Sequence, residues 1–171
     1  MPVKNRFAEL HTDITAWRRD LHEHPEILFE THRTSATVAE KLRAFGCDEV
    51  VEGIGRTGVV GVIKGNATSS GKVIGLRADM DALPIEETSG VAYASTNPGR
   101  MHACGHDLHT CTGLGVARLL AQEPKLGGRV RLLFQPAEEL AQGAVWMRDA
   151  GAVEGLDALY GVHVVPNLPV G

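Results

Sequence analysis

Val130-Arg-Leu-Leu-Phe-Gln-Pro-Ala-Glu-Glu139 joins an apolar run to two adjacent carboxylates. Residues 130–134 read as a strand suited to the buried middle of a sheet, which leaves Glu138 and Glu139 at its end. Working outward, residues 159–165 read as a second buried strand, and residues 143–150 as a short helix stopped by Gly151. On the other side, Asp107 is placed to cap a helix that runs to about residue 122 and ends at Pro124. Further upstream, residues 50–51, 59–63 and 73–76 are β-branched runs separated by glycine-rich turns, among them Gly65-Asn66 and Ser69-Ser-Gly71. Two helices open the chain. Residues 6–22 carry Phe7, Leu10, Ile14, Trp17 and Leu21 at helical spacing and end before Pro25, and residues 34–45 end at Gly46. Helices alternating with buried strands predict an α/β fold, a three-layer sandwich with a mostly parallel central sheet.

Such sheets collect their chemistry at the carboxyl ends of strands. Asp79 and Asp81 follow the strand at 73–78, the acidic pair follows 130–135, and His163 lies late in 159–165. Residues 79–103 lack a regular period and contain Pro84 and Pro98, so they read as a long loop of the kind that carries function.

Composition narrows the classes. The 171 residues suit one domain, with 43% apolar and 22% charged residues. A formal charge of −4, without a dense Lys/Arg run, argues against a nucleic-acid surface. No stretch approaches a membrane-spanning apolar run, and Met1-Pro-Val-Lys-Asn-Arg6 lacks the apolar core of a signal peptide. Three cysteines, an odd number, fit reduced thiols and a cytoplasmic location. Leu168-Pro-Val-Gly171 follows a strand-like run with no closing helix, from which residues 1–171 are expected to be part of a larger domain.

The densest chemistry lies in Met101-His-Ala-Cys-Gly-His-Asp-Leu-His-Thr110. Cys104 and His106 flank a single residue, and in an extended loop that spacing turns both side chains to one face. Thiolate with imidazole favours zinc and admits manganese, cobalt or nickel. Glu138 and Glu139 point in different directions, so one can bind an ion while the other faces its water as proton acceptor. Adjacent acids at a helix start also have a plain electrostatic use, and a lone strand histidine such as His163 is often structural. The shared strand-end location favours the metal reading for both. Asp79 and Asp81 can orient bound imidazoles or pair with Arg77. His102 and His109 read as hydrogen-bonding neighbours, Cys47 and Cys111 as packing thiols, and His11 and His32 as surface residues.

At these residues the chain resembles the zinc-peptidase superfamily of aminoacylases and dinuclear carboxypeptidases. The nearer branch holds bacterial hippurate hydrolases, N-acetyldiaminopimelate deacetylases and plant auxin–amino-acid conjugate hydrolases. The resemblance rests on Trp17-Arg-Arg-Asp-Leu-His-Glu-His-Pro-Glu26, Gly75-Leu-Arg-Ala-Asp-Met-Asp-Ala-Leu-Pro84, Met101-His-Ala-Cys-Gly-His-Asp107, Phe134-Gln-Pro-Ala-Glu-Glu139 and Gly161-Val-His163 with Pro166 and Pro169. It implies two divalent metal ions, with Cys104, His106, Glu139 and His163 as ligands, Cys104 as the bridge and Glu138 as general base. Asp81 is implied as a supporting catalytic residue. The implied reaction is hydrolysis of an N-acyl amino acid, in a protein that can form a homo-oligomer. Leu108 and Leu140-Ala-Gln142 depart from glycine-rich family positions. The resemblance further implies that residues 1–171 form the N-terminal part of the catalytic domain, without the lid or dimerisation domain and without a returning segment that holds a last histidine ligand. The competing expectation is therefore an inactive remnant that binds at most one ion or acts as an interaction piece.

Overall fold

The computed structural model describes residues 3–66, 70–123, 125–165 and 167–169. The expectations placed on Ser69, Pro124, Pro166 and the last two residues lie outside these.

Helix α1 (Val3–Glu23) buries Leu10 and Leu21 and stops just ahead of Pro25, whose ring disfavours helical geometry in the residue before it. Helix α2 (His32–Phe45) begins two residues earlier than its apolar pattern suggested. Its N-cap, Thr31, makes no side-chain cap. The Glu26 carboxylate takes that role from outside the helix, accepting the N–H groups of Arg33 (2.9 Å) and Thr34 (2.8 Å). At the other end Gly46 sits at φ 89°, a left-handed conformation that closes the helix on the Arg43 and Leu42 carbonyls.

Five strands form one sheet in the order β1-β2-β4-β3-β5. They are β1 (Glu49–Ile54), β2 (Gly58–Lys64), β3 (Val73–Asp79), β4 (Arg129–Gln135) and β5 (Ala158–Gly161). Helix α3 (His106–Ala121) crosses from β3 to β4, and the short α4 (Gly143–Asp149) follows β4. The α/β fold is as expected, but the sheet is mixed rather than mostly parallel. β1 pairs with β2 and β2 with β4 antiparallel, whereas β3 runs parallel to both β4 and β5. Connection length explains the first antiparallel pair. Three residues join β1 to β2, enough for a hairpin and far too few for the crossover that parallel pairing requires.

β4 lies inside the sheet and alternates as a strand must. Val130, Leu132 and Phe134 face a core built with Val38, Leu42 and Leu114, while Leu133 faces a smaller cluster with Val60, Met147 and Ala152. Helices α1, α2 and α3 therefore cover one face, and α4 with its following turn covers the other, which gives three layers. β5 departs from expectation. It ends at Gly161 rather than Val165 and is exposed rather than buried, with Leu159 48% and Tyr160 59% accessible. Among the described residues β5 pairs with β3 alone, so its far edge has no strand to cover it.

A second departure concerns Asp107. The N-cap of α3 is Gly105 at φ 85°, and Asp107 lies within the first turn. A Cβ on Gly105 would stand 2.5 Å from Val164 Cγ2, so this position needs glycine for space as well as for backbone angle.

Candidate metal centre

Because β3, β4 and β5 are mutually parallel where they meet, their carboxyl ends share one edge of the sheet. Asp79 is the last residue of β3, Glu138 and Glu139 follow β4, and His163 follows β5 in an irregular segment rather than inside the strand. Gly105 and the start of α3 bring Cys104 and His106 to the same edge.

Three overlapping sets of donor atoms result: Cys104 with His106 and His163, His106 with Glu138 and Glu139, and Asp79 with His106 and His109. Within each set the donor atoms lie within 4.8 Å of one another. His106 belongs to all three. The expected ligands Cys104, His106, Glu139 and His163 and the expected base Glu138 are thus brought together, and Cys104 Sγ stands 3.5 Å from His163 Nε2.

The His106 ring is fixed from behind. Its Nδ1 lies 2.7 Å from the Asp81 backbone carbonyl, which can only accept, so Nδ1 carries the proton. Its Nε2 is then a lone pair, buried and without a hydrogen-bond partner. That lone pair faces Asp79 Oδ2 at 3.6 Å, Glu138 Oε2 at 3.7 Å and Glu139 Oε1 at 3.8 Å. Glu139 Oε1 is likewise buried without a hydrogen bond. Lone pairs aimed at one another across such gaps repel unless a cation, or a proton on Nε2, lies between them. Burial lowers the His106 pKa, but the Asp81 hydrogen bond and the Asp79 and Asp81 charges outweigh it and leave it raised.

The Asp81 carboxylate meets His106 at Nδ1, with Oδ1 3.6 Å away, rather than at Nε2. Oδ1 accepts the Glu138 amide at 2.9 Å and Oδ2 lies 3.3 Å from the Glu139 amide, so it anchors the backbone of the acidic pair. Asp79 holds His109 Nδ1 at 2.6 Å, and His109 Nε2 accepts the Val164 N–H at 2.9 Å. His109 is therefore a neighbour, as expected, and ties the segment carrying His163 to the end of β3. Burial pushes the Asp79 carboxyl up, yet the hydrogen bond from His109 and the charges of His106 and Arg77 bring it below the usual range.

The donor set suits divalent cations. Burial, then Glu139, Glu138 and Asp79, push the Cys104 thiol up to about 11. A cation in the same cluster reverses that, since a coordinated thiol is deprotonated. Soft sulfur, imidazole and carboxylate together match zinc, with manganese, cobalt and nickel admitted.

Sequence reasoning passed over a buried polar cluster beneath the site. His22 Nδ1 lies 2.7 Å from Asp107 Oδ2 and its Nε2 lies 3.1 Å from Glu87 Oε1, with Arg18 Nε 2.8 Å from the same Asp107 oxygen. Arg18, His22 and Asp107 all stood within the quoted motifs, but Glu87 carried no signal. His102, expected to be a hydrogen-bonding neighbour, is 5% exposed and has no partner on either ring nitrogen. Burial pushes its pKa down to about 4.

Comparison with known proteins bears on all of this. The model of Peptidase family M20/M25/M40 matches residues 75–171, more than half of the chain. "Probable hydrolase sll0100" of Synechocystis is 48% identical over 170 residues, covering 99% of this chain and 43% of that protein. N-acetylcysteine deacetylase of Bacillus subtilis is 46% identical over 166 residues, covering 94% of this chain and 42% of that protein. A solved Bacillus subtilis structure, described as a dinuclear metal binding peptidase from the M20 family, superimposes with a TM-score of 0.89 at 44% identity. The match covers 95% of this chain and 45% of that one. The chain thus spans less than half the length of these relatives.

Proposed function

The chain belongs to Peptidase family M20/M25/M40, and from that premise we propose a metal-dependent amidohydrolase that cleaves the amide bond of N-acyl amino acids, of the hippurate or N-acetyl type. Two divalent cations would be held by Cys104, His106, Glu139 and His163. The observation that carries the proposal is the buried, partnerless His106 Nε2 facing carboxylate oxygens of Asp79, Glu138 and Glu139 at 3.6 to 3.8 Å.

Bound there, the cations supply Lewis acidity, lowering the pKa of a water to about 7 and neutralising charge that develops on the acyl oxygen. Glu138 is the base. Its side chain is the more accessible of the acidic pair, 35% against 20% for Glu139, so it is the carboxylate that water and substrate reach. Glu138 takes the proton as water oxygen bonds the acyl carbon, then returns it to the amide nitrogen as the C–N bond breaks. Asp81 keeps both glutamates in register through their amides. The Asp81 carbonyl also holds His106 in the tautomer whose Nε2 is free for a metal.

A relative described as an N-acetylcysteine deacetylase acts on one compound of the proposed substrate class, and the structural relative is described as dinuclear. The free thiols of Cys47, Cys104 and Cys111 fit the cytoplasm as the proposed location, and no helix among the described residues is long and apolar enough to cross a membrane. The test is an assay of this polypeptide on hippurate and N-acetyl amino acids with added Mn²⁺ or Zn²⁺. Glu138→Gln is expected to cut turnover by about 10²- to 10⁴-fold while leaving metal binding in place. The competing reading is an ion-binding segment without turnover. Metal uptake with no hydrolysis of either substrate selects it and overturns the first.

A further inference from the structure

We propose that Ala137 is a positioning residue, its left-handed backbone turning Glu138 and Glu139 together onto the ion site independently of any bound ion. This assignment rests on the reading given under Proposed function and deepens it.

An extended chain would not present the pair this way. Successive side chains of a strand point to opposite faces, so a continuation of β4 past Gln135 would send the two carboxylates apart. Instead Glu138 Oε2 and Glu139 Oε1 lie 3.7 and 3.8 Å from the same atom, His106 Nε2. The backbone bends to allow it. Residues 138–141 form a turn, entered at Ala137 with φ 50° and left at Ala141 with φ 53°. An L-residue at such angles brings its Cβ close to the following carbonyl oxygen, a crowding that glycine escapes. Among the described residues four non-glycine positions have positive φ, Leu28, Arg56, Ala137 and Ala141, and two of them bracket the acidic pair. A third, Leu28, supplies the carbonyl that accepts the Ala137 N–H at 3.0 Å.

Strain of this kind persists only where the surroundings fix it, and it gathers at sites that need a set geometry. Ala137 is fixed at both its amide and its carbonyl, and its methyl is fully buried. The carbonyl accepts the Gly143 N–H at 3.1 Å, and the Ala141 N–H closes the turn on the Glu138 carbonyl at 2.7 Å. A Cβ at Gly143 would stand 1.6 Å from the Pro136 oxygen, so glycine there is what lets the chain return so close. The segment carrying the Leu28 carbonyl is itself pinned to the loop of Asp81. Ala82 N–H donates to the Glu26 carbonyl at 2.8 Å, and Ile27 bridges Ala82. The turn is therefore held by residues 26–28 at Ala137 and by the Asp81 carboxylate at the two glutamates. None of these contacts needs an ion.

Calorimetric titration of Zn²⁺ into the 171-residue chain decides the matter, with near-ultraviolet circular dichroism to check the fold of each variant. Ala137→Gly reaches the same backbone angle and is expected to bind Zn²⁺ within about threefold of the parent. Threonine and asparagine are close in size, but β-branched threonine resists a left-handed backbone and asparagine tolerates it. Ala137→Thr is expected to lose affinity by about tenfold or more, and Ala137→Asn to lose clearly less. Equal losses in the Thr and Asn variants make bulk at a buried position the cause, and unchanged affinity in a folded Thr variant makes the backbone hand irrelevant. Either result overturns the assignment alone. A parent chain that takes up no Zn²⁺ overturns the metal centre given under Proposed function and this assignment with it. A misfolded Thr variant leaves a second readout in ¹³C-alanine spectra of the parent, where the Ala137 signal is identified by its loss in Ala137→Gly. Its ¹³Cα shift is expected to be that of a left-handed residue in the metal-free chain and to stay there as Zn²⁺ is added. A left-handed shift that appears only with Zn²⁺ overturns the proposal.

Discussion

At the scale of single residues, His106 shows how one side chain can report a site. Its Nδ1 is committed to the Asp81 carbonyl, so its second nitrogen must face whatever lies in the cluster. Asp81 works at the same scale through its other oxygens. With its side chain removed, the Glu138 and Glu139 amides lose their acceptor in a nearly buried setting. Asp81→Ala is therefore expected to cost about 1–3 kcal/mol in urea unfolding and to weaken metal binding. Asp81→Asn, which keeps one carbonyl oxygen, is expected to fall between the variant and the parent. Equal metal affinity in all three would show that the acidic pair needs no anchor.

Between elements, the His22 cluster clamps α1 against the first turn of α3 and the loop that carries Glu87. The hydrogen bond to Asp107 raises the His22 pKa above 6.5, burial opposes it, and Glu87 adds to the rise. Burial raises the Asp107 pKa, but His22, His102 and Arg18 hold it below 3.8. The signs are opposite at the two ends. A raised histidine stabilises the fold fully below 6.5, and that stability is lost as pH rises through the folded value. A depressed aspartate stabilises it fully above 3.8, and that is lost as pH falls through the folded value. Unfolding free energy should accordingly decline from pH 6 to pH 8 by way of His22, and His22→Gln should flatten that decline. A parent and variant with parallel pH profiles over this range would remove the clamp from the account.

Across the whole molecule, the two sheet edges are unlike. β1 carries Glu49 and Glu52, ion-paired with Lys64 and Arg43, and has an irregular register near Glu52; these features blunt an edge against further pairing. β5 offers Leu159 at 48% and Tyr160 at 59% exposure, followed by Val162 at 64%, with no charge among them. The 171-residue polypeptide should self-associate through this edge. Light scattering at tens of micromolar (~10⁻⁵ M) is expected to give a mass above that of one chain, and Tyr160→Lys should lower it toward one. A monodisperse monomer for the parent would overturn that expectation.

Residues 130–139 and 104–106 made the core strand, the acidic pair and the Cys-x-His spacing legible in advance, because apolar runs, turn residues and ligand types are local properties of the chain. Helix limits were legible to within a few residues where Pro25 and Gly46 punctuate them. Strand direction was not, since β2 pairs with β4 across a distance in sequence that no local pattern encodes. The same holds for the open edge of β5, for Glu26 capping a helix it does not belong to, and for Asp107 sharing its carboxylate between the Leu108 amide of its own helix and His22. His102 is the plainest instance. Its identity was visible from the start, but whether a histidine is buried and lacks a partner depends on every side chain packed around it, and long-range packing alone sets that.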